Sequence, residues 1–69
     1  MSTNKKTLDA LIELGRVLAG AEEDLRVAER MAANLPGDWA YTIREMAQYA
    51  ENTGYAIDQQ CLALQEEGS

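Results

Sequence analysis

The chain has 69 residues, 46% of them apolar, and a single proline, which allows one domain at most and is too short for a layered α/β core. Twelve Asp and Glu against six Lys and Arg leave a formal charge of −6, and the scattered basic residues offer no patch for successive phosphates or an anionic membrane surface. With no histidine and one cysteine, Cys61, the usual parts of a zinc site, a Ser-His or Cys-His nucleophile and an intrachain disulfide are missing.

Ala, Leu, Glu, Gln and Arg dominate, residues that lose little freedom in a helix, and there is no Phe, so the expected fold class is all-α. Residues 1–6 are polar and uncapped and read as a disordered N-terminal tail, with Thr7 as the N-cap of a helical hairpin over 7–67. No apolar run is long enough for a signal or membrane-spanning segment, and the expected location is cytoplasmic.

Helix one is expected over about 7–34. Leu11, Leu14, Leu18, Ala21, Leu25, Ala28, Ala32 and Leu35 alternate at spacings of three and four, which predicts one continuous buried stripe. Glu22, Arg26 and Glu29 are spaced for ion pairs and are assigned to the opposite, exposed side. Gly15 and Gly20 each cost about 1 kcal/mol relative to Ala inside a helix; they are either tolerated or allow close approach by another helix.

A turn is expected over 35–38. Leu35 is pushed out of the α region by Pro36, and Pro36-Gly37 fits the central positions of a type II turn. Asp38 then caps helix two through its carboxylate. So short a link makes the helices antiparallel neighbours.

Helix two is expected over about 39–66, with the stripe Ile43, Ala47, Ala50, Gly54, Ile57, Cys61 and Leu64 and with Trp39 and Met46 on its flank. Small residues in its middle face Leu18 and Leu25, so large side chains of helix one enter shallow holes on helix two. Leu8, Ile12, Val17 and Met31 lie off the main stripe of helix one, while Tyr41, Tyr55 and Leu62 follow a seven-residue spacing through Gln48 on helix two. Such surplus apolar surface predicts a homodimer, two hairpins forming a four-helix arrangement.

Trp39, Tyr41, Tyr49, Tyr55 and Leu62 are the candidate partner-binding residues, since Trp and Tyr most often dominate interface energetics. No catalytic, cofactor-binding or metal-binding residue is assigned and no cofactor is expected, because carboxylates on an exposed helix lack the water-poor pocket that tunes acid-base chemistry. Cys61 sits on the apolar stripe and reads as packing. The stretch LDALIELGRVLAGAEEDLRVAERM followed by DWAYTIREMAQYAENTGYAID, through Leu18, Asp24, Leu25 and Glu45, Met46, Ala47, resembles a family of short helical proteins of unknown function from pseudomonads and their phages. That resemblance implies a bacterial or phage setting and assigns no site.

The expectation is therefore a small non-enzymatic regulator or inhibitor that docks a helical face onto a larger protein, with no direct nucleic-acid or membrane contact. Two alternatives are a secretion-type co-chaperone and an acidic mimic of nucleic acid that blocks a nucleic-acid-binding protein, the latter motivated by Glu22, Glu23 and Asp24 together with Glu51, Asp58, Glu66 and Glu67.

Overall fold

The computed structural model describes residues 2–68, and the side chains of residues 5–67. Helix α1 spans Ser2–Ala32 and helix α2 spans Trp39–Gly68. Positions that meet across the pair run in opposite directions along the chain, Gly15 beside Ile57, Arg26 beside Glu51 and Glu29 beside Arg44. The helices are thus an antiparallel hairpin, a rod of 53 × 14 × 12 Å, and among the described residues no helix is long and apolar enough to cross a membrane.

Helix α1 begins before the predicted cap: residues 2–6, expected as a tail, are helical, and Met1 lies outside the described residues. Between residue 2 and the first stripe position there is no Pro or Gly to break the ladder, so Thr7 is interior and caps nothing. At its other end α1 stops at Ala32, two residues short of the expected boundary. Pro36 explains this. The carbonyl of Ala32 would normally accept from the N–H four residues on, which proline lacks; Leu35 N–H donates to it instead at 3.0 Å, and Asn34 N–H shifts to the Met31 carbonyl at 3.2 Å. The last turn thus tightens to i→i+3 bonds before the chain leaves the helix.

Gly37 takes φ +103°, the sign that the second central position of the predicted turn requires. Among the described residues no Leu35 carbonyl to Asp38 N–H bond closes it, so the turn is open. Asp38 caps α2 through its main chain, its carbonyl accepting from Thr42 N–H at 3.2 Å. Among the described residues the expected carboxylate cap is not formed: the Asp38 side chain is exposed, and the main-chain bond alone caps the helix.

Helix α2 presents the predicted stripe. Ala47 and Ile57 are buried, and Ile43, Ala50, Gly54, Cys61 and Leu64 are half-buried. Helix α1 is turned relative to its prediction. The line Leu11, Leu18, Leu25, Ala32 does face α2, but its neighbours on that side are Leu8, Gly15, Glu22 and Glu29, all half-buried. On the other flank Ala21 is exposed and Leu14 and Leu35 keep 48% and 59% of their surface in water.

Two features account for the rotation. A Cβ added at Gly15 would lie 3.6 Å from Ile57 Cγ2, an ordinary van der Waals distance, so the bulkiest buried residue of α2 sits close against α1 at this point. Further along, Arg44 Nε donates to Glu29 Oε2 at 2.8 Å and Arg26 reaches Glu51 at 3.9 Å. Glu22, Arg26 and Glu29 are thus not on the far side of α1; they form the edge of its contact with α2. The predicted pairs of Arg26 with Glu22 and with Glu29 are present at 3.6 Å each, and the cross-helix ties extend them.

Candidate functional site

Packing along one line divides the hairpin into two broad faces of different chemistry. On the first, Gly15, Ala19 and Glu22 of α1 and Ala50, Glu51, Gly54, Tyr55 and Asp58 of α2 line a shallow cleft. Its carboxylates continue into the cross-helix network: Glu22, Glu29 and Glu51 all lie within 4 Å of a guanidinium of Arg26 or Arg44. The hydrogen bond from Arg44 holds the Glu29 carboxyl below the usual carboxylate range; partial desolvation pulls the other way, and the charges of Arg44 and Arg26 reinforce the lowering.

The second face is apolar. Ala28, Met31, Ala32, Leu35, Trp39 and Ile43 line an open depression at the turn end of the hairpin. Met31 and Trp39 leave 66% and 62% of their surface in water, and Met46, one turn beyond Ile43 on the same side of α2, is also exposed. Along α1 the face continues through Ala21 and Leu14, one and two heptads before Ala28, and Val17, two heptads before Met31, all exposed. Towards the open end α2 supplies Thr53 and Gln60 on this side, so the apolar area is broad at the turn and narrows onto α1.

The five residues singled out from the sequence are all exposed, yet they do not share a surface. Trp39 belongs to the apolar face, where its ring also packs over the turn: a Cβ at Gly37 would meet Trp39 Nε1 at 3.3 Å. Tyr55 lines the polar cleft, and Leu62, one heptad on, follows the same side of α2. Tyr41, two heptads before Tyr55, is exposed near the turn end of α2, where a hydrogen bond to the Glu45 carboxylate, that negative charge and slight burial all raise its hydroxyl pKa. Tyr49 stands between the apolar face and the back, its carbonyl accepting from the Thr53 hydroxyl at 2.9 Å.

Met31, Leu35 and Met46 complete the apolar patch around Trp39. Met31 was expected off the main stripe, whereas the exposure of Leu35 and Met46 was hidden because Leu35 belongs to the three-and-four alternation that also marks the buried line, and Met46 flanks the buried stripe of α2. The signal that could have found them is the presence of two competing seams on α1, one through Gly15, Glu22 and Glu29 and one through Leu14, Ala21 and Ala28, of which a two-helix packing can bury only one. Among the described residues no group of His, Cys, Asp and Glu is placed to hold a metal ion, and Cys61 is a half-buried free thiol on the seam.

Compared with known proteins, the chain matches no family model, no curated protein and no solved structure.

Proposed function

We propose that this protein is a non-catalytic docking module, a small regulator or inhibitor that completes a helical bundle with another polypeptide through its apolar face. The observation that carries the reading is the mismatch between the surface the hairpin buries and the surface it displays. Among the described residues only Ala32, Ala47 and Ile57 are buried, while Leu14, Val17, Met31, Leu35, Trp39 and Met46 stand exposed along one side. The accessible surface of 5384 Å² exceeds by roughly 1,100 Å² what a compact monomer of 7.6 kDa shows. That surplus is on the scale of the ~800 Å² each partner contributes to a standard interface.

The carboxylates support a binding role over chemistry. They lie on open helix surfaces, and in the polar cleft Glu22 and Glu51 are paired with Arg26. A co-chaperone that sheathes a client helix is the second reading, favoured by the three-residue core; it predicts a hairpin that melts at low temperature alone and gains stability with its client.

Photo-crosslinking from position 31 compared with position 58, in a bacterial lysate, tests the docking face. A protein adduct formed from position 31, absent from position 58 and lost with Leu35→Glu is the expected result. Adducts of equal yield from both positions, or an adduct indifferent to Leu35→Glu, would place binding elsewhere and sink the proposal.

A further inference from the structure

Six positions of α1 and Leu35 of the turn make up the long edge of the apolar face: Leu14, Val17 and Ala21, then Asp24, then Ala28, Met31 and Leu35. Their alternating spacing of three and four is that of a helix seam, and its midpoint is a carboxylate. Asp24 is exposed and has no hydrogen bond or ion pair among the described residues. In this it differs from Glu22 and Glu29 on the other flank, which are tied to arginines.

Resting on the docking reading above, we infer that the occupant of this face is an amphipathic helix of another protein bearing a Lys or Arg near its midpoint, and that Asp24 selects it. The physical reason is desolvation. A purely apolar helix laid along Leu14 to Leu35 would strip water from Asp24 and return nothing, whereas a basic side chain at that level pairs with it while the residues one and two turns away pack on Ala21, Ala28, Val17 and Met31.

A second copy of the chain fits less well. In the antiparallel two-fold pairing that sets Leu14 against Leu35 and Val17 against Met31, Asp24 meets its own symmetry mate at the axis, and each copy brings a net charge of −6. A single buried polar position that fixes register and partner at a cost in affinity is a known use of such residues in helix seams.

The probe is a synthetic three-heptad Leu/Ala peptide without aromatic residues, made with Lys or with Glu at its central seam position. Trp39 is the only tryptophan and stands in the patch, so its emission reports docking directly. The Lys peptide is expected to shift Trp39 emission to shorter wavelength and to bind at least ten-fold tighter than the Glu peptide. Asp24→Lys should reverse that order and Asp24→Asn should abolish it, with helicity by circular dichroism unchanged in both.

Equal binding of the two peptides, or an order unchanged in Asp24→Lys, overturns the selection by Asp24 and leaves the docking face standing. Failure of both peptides to bind overturns the proposed occupant, and the crosslinking from position 31 then decides the docking reading by itself. A concentration-dependent doubling of mass that strengthens in Asp24→Asn identifies a second copy as the occupant and overturns the proposal.

Discussion

The two flanks of the α1 seam are matched in sequence position and opposite in fate. Gly15, Glu22 and Glu29 turn towards α2, although one has no side chain and two carry charge, while Leu14, Ala21 and Leu35 are left in water. Transfer free energy alone would choose the reverse, since burying a Leu side chain is worth about 1.5–3 kcal/mol. What decides instead is fit to α2, whose face is small and offers Ile57, Arg44 and Glu51 as its reaching side chains. Ile57 lies against α1 at Gly15, where an added Cβ would touch it at an ordinary 3.6 Å, and the guanidinium of Arg44 donates to Glu29. The hairpin holds itself together through Leu11, Leu18 and Leu25 on the shared line and through these cross-helix contacts, and leaves Leu14, Val17, Met31 and Leu35 outside.

The largest test of this division removes a side chain from each flank's side of the ledger. Ile57 is 8% exposed and seated on the α1 backbone at Gly15, so Ile57→Ala is expected to cost about 2 kcal/mol or more. Met31→Ala, on the displayed face, should change stability by less than about 0.5 kcal/mol. Urea unfolding followed by circular dichroism checks both, and a Met31→Ala loss as large as that of Ile57→Ala would mean that the displayed face is buried after all.

Glycine substitutions sharpen the comparison at the next level of effect. Gly37→Ala forces a Cβ onto a residue at φ +103° and against the Trp39 ring at 3.3 Å, and should destabilise by about 1–2 kcal/mol. Gly20→Ala, with nothing within 4 Å of the new Cβ, should stabilise by up to about 1 kcal/mol through helix propensity. Gly15→Ala gains the same propensity, and its Cβ makes an ordinary contact with Ile57 at 3.6 Å, so a rise in thermal midpoint is expected there too. A fall would show that the two helices approach too closely at Gly15 to admit a methyl group.

Much of the fold was legible in the sequence. The seven-position stripe of α2 is small, regular and without a rival on that helix, and Pro36-Gly37 leaves no path but a tight reversal. The rotation of α1 was not legible, because its two candidate seams share Leu11, Leu18, Leu25 and Ala32 and differ only in their flanks. Periodicity counts apolar residues and favours the flank with Leu14 and Leu35, whereas the choice is made by partners on α2 that a single helix's pattern does not contain. Helical phase alone separates the aromatic candidates, with Tyr41 and Tyr55 on one face of α2, Tyr49 pointing away from it and Trp39 at the hairpin tip. That Leu35 joins Trp39 on an exposed patch follows only from the rotation of α1.

The smallest expected effect is a pH dependence that belongs to the ion-paired flank. Arg44 lowers the Glu29 pKa in the folded hairpin below its value in the unfolded chain. The unfolded chain therefore takes up the proton first as pH falls, so Glu29 adds stability above the ordinary glutamate pKa of about 4.3 and loses it as pH drops through the lower folded value. Melting curves of the wild type and Glu29→Gln should differ at pH 7 and converge below that window, and the difference at pH 7 should shrink with added salt because the pair is partly open to solvent. Curves that stay parallel down to pH 3 would mean that Glu29 is held by its place on the seam and not by its charge, and the rotation of α1 would then rest on the Gly15 contact with Ile57 alone.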